Sequence, residues 1–270
     1  MRLPYGVGVP LGISTLFLVV QKKPFSSVLS LISDPIAEEA GYLEIVDNAS
    51  TKLTDGITKS LARLNETGYS FTVHSPYEDV NIASSDLSVR RRSIDAVKTS
   101  LRRAVEFEAL NVVVHPGTRD SGATVDEAFQ ANCDSILEIW DYSCSLGQHM
   151  SVENDIPHHG GLLVLPDDFR RFFSLGGVRM PLLLDVGHAN MSKSLRAFIE
   201  QMSSDFAELH VHDNNGLEDQ HLAMGGGNVD FGLLKPLFAN SSLLFTVESV
   251  HDPIESFKKL VTLRKQALLF

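Results

Sequence analysis

The feature that most constrains the fold is a series of eight short apolar runs spread along a chain of 270 residues. Each run has the length of a strand, and several of them alternate apolar with polar residues, which is typical of β-structure. The runs are YGVGV (5–9), YLEIV (42–46), YSFTVH (69–74), NVVVH (111–115), HMSVE (149–153), PLLLD (181–185), AELHVH (207–212) and LLFTVE (243–248).

The longer segments between these runs have helical character. In residues 86–109 and 124–147, apolar side chains recur every three or four positions. Thr124 followed by Glu127 predicts a capping box, and Gly147 stands where a helix C-cap belongs. Strands that alternate with helices form a parallel sheet, and eight such units close into a barrel. The sequence therefore predicts an α/β fold, a single (β/α)8 TIM barrel, with residues 1–270 as one domain because no linker divides the chain.

Side chains at the predicted strand ends carry the chemistry, because active sites of this barrel lie at the C-terminal ends of its strands. Six of the eight runs end on or beside a residue that binds metals or transfers protons: His74, His115, Glu153, Asp185, His210 and Glu248. Carboxylates and neutral imidazoles crowded at one barrel mouth are costly to bury without a cation. We therefore predict a divalent-metal site.

The number of ions stays open at this stage. The smallest ligand set takes one residue from each of the last four strands: Glu153, Asp185, His210 and Glu248. Mixed oxygen and nitrogen ligands suit zinc, manganese, cobalt or iron better than magnesium. Nine side chains in all are candidate ligands for one to three ions: His74, His115, Glu153, Asp185, His188, His210, Asp219, His221 and Glu248.

Six motifs surround these residues: HSPY (74–77), HPG (115–117), VEN (152–154), LDVGHA (184–189), HVHDNNGLEDQH (210–221) with GGG (225–227), and VES (247–249). Their order and spacing resemble those of the xylose isomerase-like barrel superfamily. This superfamily includes sugar isomerases, sugar epimerases and the endonuclease IV group of AP endonucleases.

The resemblance to the epimerase-like members implies one metal ion on the smallest ligand set. Glu153 and Glu248 would then exchange a proton with a carbon next to a carbonyl group, which the metal polarises. His188 would contact a substrate oxygen. This implies a metal-dependent isomerase or epimerase that acts on a sugar or a sugar phosphate, which is our first prediction of function.

The resemblance to the endonuclease IV group implies three zinc ions instead. One would bind to His74, His115 and Glu153, one to Glu153, Asp185, His210 and Glu248, and one to His188, Asp219 and His221. All nine positions are filled in this chain, so phosphodiester hydrolysis at abasic sites in DNA is the alternative function. Glu78 and Asp79 argue against DNA, since acids beside the third strand would repel a phosphate backbone.

Composition limits the kinds of partner and the cellular compartment that we expect. Thirty-four acidic residues against 23 basic ones give a net charge of -11, which disfavours a nonspecific polyanion binder and favours a small-molecule substrate. Cys133 and Cys144 lie in one helical segment, so we predict two buried thiols, no disulfide framework and a cytoplasmic location. The apolar run at 11–20 is too short to span a bilayer and is predicted to be core, with no membrane partner.

A glycine-rich turn follows the predicted seventh strand. Gly225, Gly226 and Gly227 lie where barrels of this kind often bind phosphate through backbone N–H groups. A plain tight turn is the commoner use of such glycines, so phosphate binding is the weaker of the two interpretations. The sequence indicates no oligomeric state.

Overall fold

The structure is a computed structural model that describes residues 10–32 and 40–269. Within these ranges eight parallel strands form a closed barrel, in which each strand pairs with the next along the chain and the last pairs with the first. The strands are β1 (Leu11–Ser14), β2 (Tyr42–Val46), β3 (Phe71–His74), β4 (Val112–Val114), β5 (Met150–Glu153), β6 (Leu182–Asp185), β7 (Phe206–Val211) and β8 (Leu244–Val247). The prediction of a (β/α)8 barrel is confirmed.

Helices cover the outside of the barrel. They are α1 (Leu16–Val20), α2 (Ser26–Ile32), α3 (Asp55–Glu66), α4 (Leu87–Val105), α5 (Val125–Leu146), α6 (Pro166–Gly176), α7 (Val186–Met191), α8 (Leu195–Met202) and α9 (Pro253–Ala267). The connection from β7 to β8 is a 3-10 helix, Phe231–Ala239, which contains Pro236. A proline inside an α-helix removes a hydrogen bond and clashes with the preceding turn, so this segment departs from α-geometry.

The two ends of α5 lie where the sequence predicts them. Thr124 Oγ1 accepts a hydrogen bond from the backbone N–H of Glu127 at 3.2 Å, and Glu127 Oε2 accepts one from the backbone N–H of Thr124 at 2.9 Å. Gly147 ends the helix with φ +67°, a left-handed conformation that glycine adopts without steric cost. A capping interaction of this kind stabilises a helix by about 1 kcal/mol.

The first strand differs from the prediction. The run YGVGV (5–9) lies outside the described residues, and β1 is formed by part of the run at 11–20 that was predicted only as core. The close approach of β1 to β2 requires a glycine at position 12, because a Cβ atom there would lie 2.3 Å from the Tyr42 ring. Glycine at this position lets the tyrosine side chain occupy the barrel interior, and alternation alone does not reveal this contact.

The prediction for the cysteines is half wrong. Both are free thiols and Cys133 is buried, but Cys144 is exposed. Helix α5 buries one face, which includes Ile136, Ile139 and Ser143, and position 144 lies beside that face. Among the described residues no helix is both long and apolar enough to cross a membrane. A cytoplasmic location remains a prediction.

The barrel interior is unusually polar. Successive side chains of a strand point to opposite sides, so every second residue faces the interior. One set of buried interior residues, here called the lower layer, comprises Glu44, Thr72, Ser151, Glu208 and Thr246. Two positions after the last four of these residues, at the C-terminal end of the barrel, stand His74, Glu153, His210 and Glu248, and two positions after Glu44 stands Val46. The fold thus places the predicted ligands directly above a layer of polar side chains.

Candidate metal centre

The nine predicted ligands converge at the C-terminal end of the barrel, and His210 lies at their centre. Its Nδ1 atom is 3.3 Å from Glu153 Oε1, 3.2 Å from Glu248 Oε2 and 4.0 Å from Asp185 Oδ2. All four residues are buried, with relative exposures of 4 % or less. Ligand bonds of about 2.0–2.2 Å hold donor atoms roughly 3–4 Å apart, so these distances fit a metal ion.

A second group of imidazoles faces the other oxygen of Glu153. His115 Nε2 lies 2.9 Å from Glu153 Oε2, and His74 Nε2 lies 3.7 Å from the same oxygen. No described residue gives Glu153 Oε2 a hydrogen bond of good geometry, although the atom is buried. Because a buried carboxylate oxygen without a partner is costly, a cation shared with the two histidines fits this position.

A third group lies nearer the mouth of the barrel. Asp219 Oδ2 is 3.4 Å from His188 Nε2 and 3.0 Å from His221 Nε2. The backbone of His221 adopts φ +45°, a left-handed conformation that a non-glycine residue seldom occupies and that is frequent at functional sites. Its ring stacks on that of His212 with 3.9 Å between the ring centroids, which fixes the imidazole in place.

A hydrogen bond to one ring nitrogen orients each of four histidines. In three of them Nδ1 lies on a backbone carbonyl oxygen: His74 on Ser75 at 2.9 Å, His188 on Asn154 at 2.8 Å and His221 on Glu248 at 3.0 Å. In His210 the roles are reversed, because Nε2 lies 2.9 Å from Glu44 Oε2. Such an oxygen favours a proton on the nitrogen that it faces, so in the neutral, metal-binding form of each ring the other nitrogen would direct its lone pair into the cluster.

His210 supplies a further test of whether these residues fit a metal. Its Nδ1 atom is buried and has no hydrogen-bond partner among residues 10–32 and 40–269. In the neutral ring with its proton on Nε2, this atom would face three carboxylates with a lone pair. This arrangement is unfavourable without a cation and is the normal environment of a metal-binding histidine.

The pKa shifts of the buried carboxylates and imidazoles also indicate that the cluster favours positive charge. Burial raises the pKa of Glu153, but the charges of His115 and His210 outweigh burial and hold this pKa well below its usual range. Burial lowers the pKa of His210, yet the neighbouring Glu248 and Glu44 carry it well above the usual value. Protons on the imidazoles or bound cations can balance the carboxylates, and metal ions would displace these protons.

The outer group follows the same pattern. Burial lowers the pKa of His221, but hydrogen bonding to Asp219 outweighs it and raises this pKa to about 9. Burial raises the pKa of Asp219, whereas the hydrogen bonds from His188 and His221 bring it far below its usual value. Asp219 is therefore ionised under all ordinary conditions and is available to a cation.

Sequence reasoning missed Glu44, the residue that orients His210. It is fully buried in β2, and its Oε1 atom has no partner among the described residues. The run YLEIV does carry a signal, since a single charged residue inside a strand that is otherwise apolar indicates an interior position with a specific partner. The partner itself comes from a strand 166 positions away in the sequence, so only the fold reveals it.

His212, which lies in the HVHDNNGLEDQH motif but is not one of the nine predicted ligands, contacts Asp185 in the structure. Its Nε2 atom lies 3.1 Å from both carboxylate oxygens of Asp185. Gly187 makes room for this ring, because a Cβ atom there would lie 2.1 Å from it. His212 therefore positions Asp185. The DVGH motif has a glycine at position 187 because a larger residue would clash with the His212 ring.

The glycine-rich turn lies apart from the cluster. The N–H of Gly225 donates to Asp213 Oδ2 at 2.8 Å, and the N–H of Gly226 donates to the carbonyl oxygen of Ala223 at 2.8 Å. A Cβ atom at Gly227 would lie 2.1 Å from the carbonyl oxygen of Asn214. Internal groups thus already use two of the three amides, and phosphate binding at this turn stays a prediction.

A cavity of about 220 Å³ opens onto the cluster. Seven of the nine predicted ligands line it: His74, His115, Glu153, His188, Asp219, His221 and Glu248. Asp185 and His210 lie below these residues and are fully buried. A small molecule in the cavity would therefore contact any ion held by the cluster.

Comparison with known proteins gives the family. The sequence model described as xylose isomerase-like TIM barrel matches residues 36–261. An uncharacterized protein of Methanocaldococcus jannaschii, MJ1614, is 26% identical over 259 residues, which are 96% of this chain and 99% of that protein. A protein of Thermoplasma acidophilum named probable endonuclease 4 is 22% identical over 179 residues, which are 60% of each chain.

Solved structures share the fold. A D-tagatose 3-epimerase-like protein superposes with a TM-score of 0.83 at 23% identity, covering 97% of this chain and 99% of its own. The IolI protein, solved with a zinc atom, superposes with a TM-score of 0.75 at 14% identity, covering 97% of both chains. Together with the family match over residues 36–261, the fold and the site show that this chain belongs to the xylose isomerase-like TIM barrel family.

Proposed function

We propose that the protein is a metal-dependent hydrolase that cleaves a phosphoester bond at a centre of up to three divalent ions. The observation that carries this proposal is that all three ligand groups are assembled and oriented, whereas a single-ion enzyme needs only the group around His210. Residues His74, His115 and Glu153 would hold one ion, Glu153, Asp185, His210 and Glu248 a second, and His188, Asp219 and His221 a third. Imidazole and carboxylate ligands of this kind suit zinc, manganese or cobalt.

The charge of the cluster supports more than one ion. Five carboxylates take part: Glu44, which faces His210, and Glu153, Asp185, Asp219 and Glu248. With imidazoles in the neutral form that binds metals, one divalent ion leaves these carboxylates in excess by three charges. Three ions reverse the balance and leave the cations in excess by one, which suits an anionic phosphoester. A phosphate group would otherwise meet a negative cavity.

The reaction requires few groups beyond the ligands. Divalent ions bound here would polarise a phosphoryl oxygen and activate water as a nucleophile. The water oxygen forms a bond to phosphorus, the bond to the leaving oxygen breaks, and the leaving group departs as an alcohol with a proton from water. Burial raises the pKa of Tyr77 to about 12, so its hydroxyl keeps its proton and can donate a hydrogen bond to a phosphoryl oxygen.

Isomerisation or epimerisation of a sugar or sugar phosphate is the second candidate function. Glu153 and Glu248 both line the cavity, and they approach His210 from two different strands at 3.3 and 3.2 Å. Two carboxylates so placed could exchange a proton with a substrate carbon on either side. The solved D-tagatose 3-epimerase-like protein and L-ribulose 3-epimerase share the fold, which favours a sugar substrate at the level of analogy.

Metal content and one substitution separate the two candidates. Protein purified without a chelator or histidine tag should contain about three equivalents of divalent metal by elemental analysis, and it should hydrolyse bis(p-nitrophenyl) phosphate. The Asp219→Asn variant removes a ligand from the third group alone, so the metal content should fall to about two equivalents with a loss of hydrolysis of about 100-fold or more.

The same preparations should be assayed on a panel of ketoses and on duplex DNA with an abasic site. One metal equivalent, together with ketose epimerisation that survives in Asp219→Asn, would establish the second candidate and reject the first. Cleavage of the abasic strand would assign the hydrolysis to DNA. The exposed acids Glu78 and Asp79 lead us to expect that the strand stays intact.

A further inference from the structure

One wall of the cavity differs sharply from the wall of ligands. It is formed by Leu16 and Val20 of α1, by Tyr77 after β3 and by Val250 after β8. These four residues are here called the apolar wall. Leu16 and Val250 belong to a small hydrophobic cluster at the barrel mouth that is separate from the main core, and Tyr77 packs against this cluster. Val20 is 54 % exposed, so part of the wall is open to a ligand.

The wall is held in place beside the ligands. Gln21 Nε2 donates a hydrogen bond to the carbonyl oxygen of Val250 at 3.4 Å, which ties the end of α1 to the segment after β8. The N–H of Val250 donates to the carbonyl oxygen of His221 at 2.9 Å. The Tyr77 ring lies edge-on to His74 with 5.3 Å between the ring centroids. The apolar wall therefore adjoins the second and third ligand groups directly.

The cavity offers little to the hydroxyl groups of a sugar. Among the lining residues that the structure describes, every polar side chain except Tyr77 is one of the predicted metal ligands. None of these lining residues is lysine or arginine, so a second phosphate group would find no cation apart from the metal centre. A polyol bound against Leu16 and Val250 would lose hydrogen bonds to water without replacement, which is costly.

Resting on the proposed hydrolysis, we infer that the substrate is a small phosphoester with an aromatic or branched aliphatic substituent. The phosphoryl group lies at the metal centre, and the substituent packs on the apolar wall. The cavity of about 220 Å³ accommodates one such substituent beside a phosphoryl group. The net charge of -11 likewise favours a small ester over a polyanion.

Phosphonates, which have no ester bond to hydrolyse, test this inference by binding alone. Phenylphosphonate, methylphosphonate and 2,3-dihydroxypropylphosphonate share one phosphoryl group and differ only in the substituent. Calorimetric titration of the metal-loaded protein should show that the phenyl compound binds about tenfold or more tightly than the methyl compound. The dihydroxypropyl compound should bind no more tightly than the methyl compound.

A matched pair of variants locates the effect. Val20→Ser replaces the exposed valine of the apolar wall and should reduce the phenyl-to-methyl preference about threefold. Val125→Ser is the control, because Val125 is 56 % exposed and does not line the cavity. Val125→Ser should keep the wild-type preference for the phenyl compound over the methyl compound. Equal binding of the phenyl and methyl compounds, or tightest binding of the dihydroxypropyl compound, would overturn the inference.

A second ligand pair distinguishes failure of the wall from failure of the proposed hydrolysis. Benzohydroxamate and acetohydroxamate bind metal ions without a phosphoryl group. If the phosphonates do not bind but benzohydroxamate binds more tightly than acetohydroxamate, the apolar wall stands and the phosphoester is rejected. If neither pair shows a preference for the aromatic member, the wall does not select substrates.

Discussion

Two polar regions lie one above the other inside this barrel, and they differ in how their side chains are satisfied. In the metal centre, buried atoms such as His210 Nδ1 and Glu153 Oε2 lack hydrogen-bond partners among the described residues. In the lower layer, by contrast, Ser151, Glu208 and Thr246 have hydrogen-bond partners within the barrel interior, and the atoms without a described partner, Glu44 Oε1 and Thr72 Oγ1, belong to separate side chains. The difference teaches that buried polarity alone does not mark a functional site, whereas buried donor atoms that converge without partners do.

The hydrogen bonds of the lower layer form a directed chain. Glu208 accepts hydrogen bonds from Thr246 Oγ1 and from Asn111 Nδ2. Since Thr246 donates its single proton to Glu208, Tyr42 must donate to Thr246 in their 2.8 Å contact. Asn111 uses its second Nδ2 proton on Ser151 Oγ at 2.8 Å. Both carboxylate oxygens of Glu208 therefore accept a hydrogen bond, unlike Oε2 of Glu153 in the centre above.

The largest difference in metal content and activity is expected when one glutamate of each region is replaced by glutamine. Glu153→Gln removes the carboxylate that faces both His210 and the pair His74 and His115, so the metal content should fall and hydrolysis should drop more than about 100-fold. Glu208→Gln is the matched control, because it is equally buried and lies in the lower layer. Elemental analysis and the bis(p-nitrophenyl) phosphate assay measure both.

Glu208→Gln should retain its metal and activity within a few-fold. Its free energy of unfolding should fall by about 1–2 kcal/mol, because the amide nitrogen cannot accept one of the two hydrogen bonds that the carboxylate accepts. Urea denaturation measures this change. Loss of metal from Glu208→Gln to the same extent as from Glu153→Gln would show that the two regions do not differ in the way described.

An intermediate effect is expected at Glu44, which links the two regions through its 2.9 Å contact with His210 Nε2. Glu44→Leu removes the acceptor that fixes the proton on Nε2, so metal affinity should fall about 10- to 100-fold. Glu44→Gln keeps an acceptor oxygen and should recover most of that loss. Competition with a chromophoric chelator measures the affinity. Equal affinity of the leucine variant and the wild type would remove Glu44 from the metal centre.

The smallest effect on metal affinity is expected at Gly187, which contacts the centre only through His212 and Asp185. A Cβ atom in Gly187→Ala meets the buried His212 ring, which in turn contacts Asp185. We expect metal affinity to fall up to about tenfold and stability to fall by about 1–3 kcal/mol. Gly122→Ala is the control, since no heavy atom lies within 4 Å of the added Cβ there. Chelator competition and urea denaturation of both variants measure the difference, and an unchanged Gly187→Ala protein would contradict this account of the motif.

The sequence predicted the fold through a regular signal. Seven of the eight predicted strands overlap strands of the structure, and YLEIV (42–46) coincides with β2. Strand and helix periodicities are local, so they can be recognised in the sequence without knowing which strands pair with which. The first strand was misplaced because two adjacent apolar runs fitted the same pattern. The pairing of Gly12 with both Tyr42 and Thr246, which places β1 at Leu11–Ser14, is a long-range contact that the local pattern does not contain.

By itself, the sequence determined the barrel and the nine candidate ligands, because residues at strand ends must meet once parallel strands close into a barrel. Only the tertiary structure decided which nitrogen of each histidine faces the centre and which wall of the cavity is apolar. It also decided that Glu44 orients His210 and that His212 orients Asp185. These features depend on contacts between strands that are distant in sequence, and the spacing of residues along one strand carries no information about the orientation of a ring on another.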